Sequence, residues 1–215
     1  MQETPDRRTY GAFTLVELLV VVGLMILVIS FAAPAVTGLS KGNNLTTAGR
    51  VVSNLLTIAR SEAINRRALI RFEIATNWPA DSSYAYRKFT LVQHDVATGT
   101  DTQLTGWETL PNGTVFQSQD PAAGNTSPIP GTYFFLASQT QNPPLTVGQQ
   151  SVTTRYIEFT PTGALNVGLQ ASPVRLRVSP GFFDSGKSNV VPTSNDNWYD
   201  ASIDALIGRI KLSRP

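Results

Sequence analysis

Several groups of residues in this chain have the types and spacing that chemistry uses. Gly181-Phe182-Phe183-Asp184-Ser185-Gly186-Lys187-Ser188 spells the phosphate-binding pattern G-x-x-x-x-G-K-[ST]. That chemistry wraps backbone N–H groups around a phosphate and needs the lysine at the start of a helix. Gly38-Leu39-Ser40-Lys41-Gly42 spells the nucleophile elbow G-x-S-x-G, which needs a strand-turn-helix corner and a histidine acceptor; the one histidine is His94. Asp196, Asn197, Asp200 and Asp204 gather oxygen atoms at short spacing, as calcium loops do. Arg209, Lys211 and Arg214 give the C-terminus a basic edge of the kind that attracts DNA phosphates.

The elements around these residues decide most of the cases. Pro180 interrupts the approach to Gly181, and Val190, Val191 and Pro192 follow Ser188, so no helix opens there and the segment reads as a loop. Ser40 follows a long apolar run rather than a strand, and His94 falls in an expected strand, so an anchored esterase has almost no support. Gly38 and Gly42 read as a flexible point in the chain. The aspartate spacing fits no EF-hand; Asx turns and a helix cap account for it, with calcium at Asp196 and Asp200 the alternative. Three basic residues with no aromatic stacking platform would hold DNA weakly and in a salt-sensitive way. With no cysteine among 215 residues, disulfides, thiolate metal sites and cysteine nucleophiles are excluded.

Charge is sparse: 17 Lys plus Arg stand against 15 Asp plus Glu, and charged residues make up 15% of the chain. Apolar residues are concentrated between Phe13 and Val36, where 19 of 24 are apolar and Glu17 alone is charged. A helix of that length rises about 36 Å, enough to cross a hydrocarbon core of about 30 Å. Arg7 and Arg8 precede it, so the positive-inside rule keeps the N-terminus cytoplasmic and sends the rest outside. Ala33-Pro34-Ala35 also allows a secretory signal cleaved there, but the run is too long and carries a charge near its start. A plain anchor leaves Glu17 unexplained, since a carboxylate deep in a bilayer costs about 2.5–3.5 kcal/mol unless it snorkels.

The run Gly11-Ala12-Phe13-Thr14-Leu15-Val16-Glu17-Leu18-Leu19 resembles the type III signal of type IV pilins and type II secretion pseudopilins. The resemblance implies that residues 1–12 are a leader, removed by prepilin peptidase between Ala12 and Phe13. Phe13 would then be N-methylated, and Glu17 retained for assembly with other pilin or pseudopilin subunits. Family members usually carry Gly before the cut; here Ala12 stands there, behind Gly11. Pro34 lies where many pilins have a helix-bending proline. The helical stretch from Leu55 to Arg67 is similar to the GspH/FimT branch. Phe159-Thr160-Pro161-Thr162-Gly163 and Gly208-Arg209-Ile210 look like the F-x-P-x-G and terminal G-R-[VI] elements of GspH-type pseudopilins.

Beyond the apolar block, Leu45, Ala48, Val52, Leu55, Leu56, Ala59, Ala63 and Ile70 step by three or four, predicting a helical face over residues 37–71. That stretch carries a net charge of +5, and residues 72–215 carry −2. The basic run reads as a solvated helix face, or more sharply as a surface that meets acidic neighbours. After Arg71 the period drops to two, predicting strands at Leu69–Ala75, Ala85–His94, Thr102–Leu110, Thr132–Ala137, Val152–Thr160, Val174–Ser179 and Leu206–Ser213. Residues 118–131, 138–151 and 180–199 are expected as loops.

The expectation is an α+β, pilin-like chain: leader 1–12, transmembrane helix 13–36, amphipathic continuation 37–71 and a periplasmic domain 72–215 with an antiparallel sheet. It would cross the inner membrane once and act as a minor pilin or pseudopilin. No enzyme activity, cofactor or small-molecule substrate is expected. A FimT-like minor pilin that binds DNA for uptake is the alternative, and a membrane-anchored periplasmic enzyme the remote one.

Overall fold

Where apolar residues recur every three or four positions and then every two, a helix must hand over to strands, and the handover is sharp. A computed structural model describes residues 14–117, 132–133, 145–166, 174–194 and 196–215, with backbone only for residues 31–42 and 132–133. One helix, α1 (Leu15–Arg66), contributes to two compact units, Met1–Ser40 and Lys41–Pro215. It stops short of Arg71 because Arg67 takes a positive φ of 52° and Ala68 N–H closes the last turn on Ala63 O.

In the first unit, every described side chain of α1 from Leu15 to Ser30 is exposed, including Leu18, Val21, Leu24, Met25 and Val28. Apolar residues on all sides of a helix are characteristic of one that is meant to be covered by something else. Among the described residues no helix is long and apolar enough to cross a membrane. Phe13 and the side chains of residues 31–36, which complete the apolar block, lie outside the description.

In the second unit α1 behaves differently. Leu45, Ala48, Val52, Leu55, Leu56, Ala59 and Ala63 are all buried and form one core with both main sheets. The first sheet orders β3 (Thr100–Gln103), β2 (Lys88–Asp95), β1 (Leu69–Ala75) and β9 (Thr154–Phe159), with β4 (Glu108–Thr109) also on β2. The second orders β11 (Asn189–Pro192), β10 (Val174–Asp184), β12 (Tyr199–Ile203) and β13 (Ile210–Ser213), with β5 (Thr114–Phe116) and β6 (Thr132–Tyr133) also on β10. A separate hairpin pairs β7 (Leu145–Val147) with β8 (Gln150–Val152). Pairing is antiparallel except between β6 and β10.

Alternation along the strands sorts the side chains. Ile70, Phe72, Ile74, Phe89, Leu91, Ile157 and Phe159 join the core. Phe72, Phe89 and Phe116 pack as a triad with centroids 5.6–6.2 Å apart, two of the pairs edge-on. The first sheet's other face carries Arg71, Glu73, Thr90, Thr154 and Glu158, all buried despite their polarity.

The expected loop 180–199 is instead a hairpin. β10 runs on through Asp184, and β11 returns by pairing Phe183 with Val190 and Phe182 with Val191. Valines at 190 and 191 favour a strand, and the Asp184 carboxylate ties the turn. The expected strand Thr102–Leu110 breaks into β3 and β4 around Gly106, and Leu206–Ser213 shortens to β13. β5, β7, β8 and β12 have no counterpart among the expected strands. Part of the expected strand Thr132–Ala137 lies outside the described residues.

Candidate functional site

At the start of α1, Thr14 and Glu17 cap each other. Glu17 N–H donates to Thr14 Oγ1 at 3.2 Å, and Thr14 N–H points back at Glu17 Oε2 at 3.5 Å. This is a capping box, and the spelling T-x-x-E was there to be read in Thr14-Leu15-Val16-Glu17. It gives Glu17 a local role, satisfying helix-end donors where the partial positive charge also favours a carboxylate. Gly11, Ala12 and Phe13 lie outside the described residues.

The second unit brings together the two late motifs. Gly163 (φ 79°) closes the turn after β9, with its N–H donating to Thr160 O, and Gly208 (φ 63°) closes the turn before β13. Arg60 of α1 donates from Nε to both Gly163 O at 3.3 Å and Ile207 O at 3.0 Å. A Cβ built on Gly208 would stand 1.8 Å from Gly163 O, so no side chain fits. The glycines of the two spellings thus let two turns touch, and one arginine of the helix holds both.

Each sheet also carries a buried ion pair, which the sequence reading missed. On the first, Arg71 donates to Glu158 at 2.6 Å and approaches Asp101 at 3.4 Å, while His94 Nδ1 lies 2.7 Å from Asp101. The Arg71 guanidinium stacks over Tyr156 at 4.3 Å. Glu73, on the same strand face, accepts from the Thr154 hydroxyl at 2.7 Å, while its Oε1 has no partner among the described residues. Burial there pushes the Glu73 carboxyl up to about 7, against the opposing pull of Thr154 and Arg71. On the second sheet Arg177 grips Asp200 through both oxygens, at 2.7 and 2.8 Å, beneath Trp198. The signal was available: an Arg or a carboxylate at alternate positions of an otherwise apolar strand.

These contacts dispose of several sequence readings. Asp200 is a β12 residue held by Arg177, and Asp196 sits on an exposed loop. Asp204 caps its own turn, accepting from Leu206 and Ile207 N–H. Among the described residues no group of His, Asp or Glu is arranged to hold a metal. The phosphate-loop spelling lies in the β10–β11 hairpin, where Asp184 Oδ1 takes the N–H groups of Gly186 and Lys187. Gly38–Gly42 falls inside α1, and His94 is engaged by Asp101. Arg209 and Lys211 are exposed, but Arg214 donates to Asn197 at 2.9 Å and lies over Tyr199 at 5.5 Å, covering the ring nearest that edge.

α1 thus has an apolar first part that is exposed on every side and a second part built into a two-sheet core. The model of the family "Type II transport protein GspH" matches residues 48–196, more than half of the chain, and the chain belongs to that family. It is accordingly a minor pseudopilin or pilin subunit of a type II secretion or type IV pilus system. No curated protein matches the chain. Among solved structures, the minor pseudopilin EpsH of the Vibrio cholerae type 2 secretion system shares 12% identity at a TM-score of 0.43, over 80% of this chain and 98% of that one. The type IV minor pilin FimU of Pseudomonas aeruginosa strain PAO1 shares 15% at a TM-score of 0.42, over 80% of this chain and 93% of that one.

Proposed function

We propose that this subunit is held in the inner membrane by the apolar part of α1, with its N-terminus cytoplasmic and its β-rich unit in the periplasm, and that it passes into a filament by packing that helix against its neighbours. The observation that carries this reading is the exposure of α1 from Leu15 to Ile29 on every side, which water does not stabilise. Prepilin peptidase removes residues 1–12, and the new amine of Phe13 is methylated. The role is structural, without catalysis or a bound cofactor.

Cleavage would place a positive amine four residues before Glu17. In lipid neither charge is stable alone, and pairing offsets part of the desolvation. Glu17 then meets the amine of an adjacent subunit, so that insertion in register neutralises both.

Intact mass of the membrane-extracted chain tests the processing step: it should begin at Phe13 with one added methyl. A mature chain beginning at Val36 would establish a secretory signal and remove the filament reading. For Glu17, the Glu17→Ala chain should still lose its leader and insert, but be depleted from sheared filaments. Equal recovery with wild type would refute the pairing role.

A further inference from the structure

Away from α1's apolar half, the start of β2 lines a cleft of about 560 Å³ formed by Trp78, Tyr84, Arg87, Lys88, Leu110 and Asn112, among others. That volume lies within the usual range for ligand sites. Two cations stand side by side in it, and among the described residues neither has a carboxylate within ion-pair distance. Arg87 donates to Leu110 O at 3.0 Å and to Asn112 Oδ1 at 2.9 Å, and its buried Nε has no acceptor. Lys88 donates to the Thr109 hydroxyl at 3.1 Å and lies 4.6 Å from the Trp78 ring centre and 5.1 Å from that of Tyr84. Trp107 packs edge-on to Trp78 at 5.2 Å, fixing its ring.

This arrangement is unbalanced in one direction. Burial, and then the neighbouring Arg87, holds the Lys88 ammonium below its usual range. Two like charges partly removed from water, with only neutral acceptors, are relieved by an incoming anion. The walls say what the rest of the ligand is: indole, phenol, Leu110 and Pro111 take an apolar or aromatic body. The rim says how far the charge extends. Exposed Asp81, whose carboxylate feels Arg87, would repel a polyanion running across the site. A polynucleotide needs a cationic track along its backbone, and this site offers one point of positive charge with a negative one beside it.

We propose that this cleft binds a protein partner through a single carboxylate next to an apolar or aromatic residue on an extended segment. The acid sits between Arg87 and Lys88, and its neighbour lies against Trp78 and Tyr84. The proposal does not depend on how α1 is housed.

Fluorescence anisotropy of the full chain in detergent tests it, with end-blocked, labelled Gly-Phe-Asp-Phe-Gly, its Asn counterpart and a labelled oligothymidylate as probes. The Asp peptide should bind, and the Asn peptide should bind about tenfold or more weakly, as expected for loss of a charge-assisted contact. Lys88→Gln and Trp78→Leu should each weaken the Asp peptide by a similar factor, while Lys187→Gln, on the β10–β11 turn, leaves it unchanged. Equal binding of the two peptides, no binding of the Asp peptide, undiminished binding by Lys88→Gln, or tighter binding of oligothymidylate would overturn the proposal. The Asn peptide decides the matter even where a variant fails to fold.

Discussion

The two parts of α1 are made from similar residues and meet opposite fates. From Leu15 to Ile29 leucines and valines follow one another without a polar face, and all are exposed. From Leu45 to Ala63 the same kinds of residue appear every three or four positions, and each is buried against the sheets. The difference teaches that apolar content says how much a helix must bury, whereas its period says whether the chain can bury it unaided. A single stripe can be covered by one sheet face. A helix apolar all round needs partners on every side.

Paired substitutions sharpen that contrast, and glycine should give the largest effect. Gly208→Ala drives a methyl into the Gly163 carbonyl and should destabilise the second unit by more than about 4 kcal/mol. Gly23→Ala, with nothing within 4 Å of the added methyl, should leave stability unchanged or raise it slightly, alanine being the better helix former. Chemical denaturation of the full chain in detergent, followed by near-UV circular dichroism, measures both. Comparable losses would mean that α1's first part is packed after all.

Leucine truncation is the next test. Leu56 is fully buried and Leu24 is 58% exposed. Leu56→Ala should cost about 2–5 kcal/mol and Leu24→Ala close to nothing in the same unfolding transition. In filament recovery the order should reverse, with Leu24→Ala the more damaging.

Glu73 sets a pH dependence confined to the second unit. Unfolded, its carboxyl loses a proton near the ordinary value of 4.5; folded, it does so at about 7. Between those values the folded chain holds the extra proton, so this group's contribution to stability falls as pH rises and levels off above about 7. The full shift corresponds to roughly 3 kcal/mol. Glu73→Gln, which keeps an acceptor for Thr154, should be the more stable form at pH 8 and should flatten the profile. A profile unchanged by the substitution would mean that Glu73 ionises as if in water.

A smaller effect is expected of Arg60→Gln, which removes the donor to Gly163 and Ile207. It should cost about 1–3 kcal/mol, the range for a hydrogen bond from a charged group. Arg66→Gln breaks only an exposed bond to Glu62 and should cost under about 0.5 kcal/mol. Equal effects would mean that Arg60 is no more than another solvated charge.

Much of this was legible in the sequence. Seven of the eight residues expected on the helical face, Leu45 to Ala63, are buried on α1, the eighth, Ile70, is buried on β1 instead, and β1 has the bounds that its alternation predicted. What escaped depends on contacts across the chain. β5 and β12 are short and held by β10, and their own residues show too little alternation to announce them. Glu73, Arg71, Asp101 and Glu158 read singly as ordinary surface charges, because only register brings Arg71 opposite Glu158. The Trp78–Lys88 cleft was hidden for a related reason: its two rings and two cations lie within residues 78–88, but the other wall, Thr109 to Asn112, comes from β4 and the segment after it. Glu17 illustrates the opposite error, since its capping partner Thr14 is three residues away and needed no fold to find.

Arg60 has a consequence in time as well as in energy. Its acceptors arrive 103 and 147 residues later in the chain. At ordinary rates of synthesis, about 5–20 residues per second, Ile207 emerges roughly 7–30 s after Arg60. The first sheet is complete once β9 has emerged but the second is not, so closure of the core must wait for almost the last strand. A subunit built this way matures late and all at once, and until then it is open to proteases and to whatever chaperones meet it as it emerges.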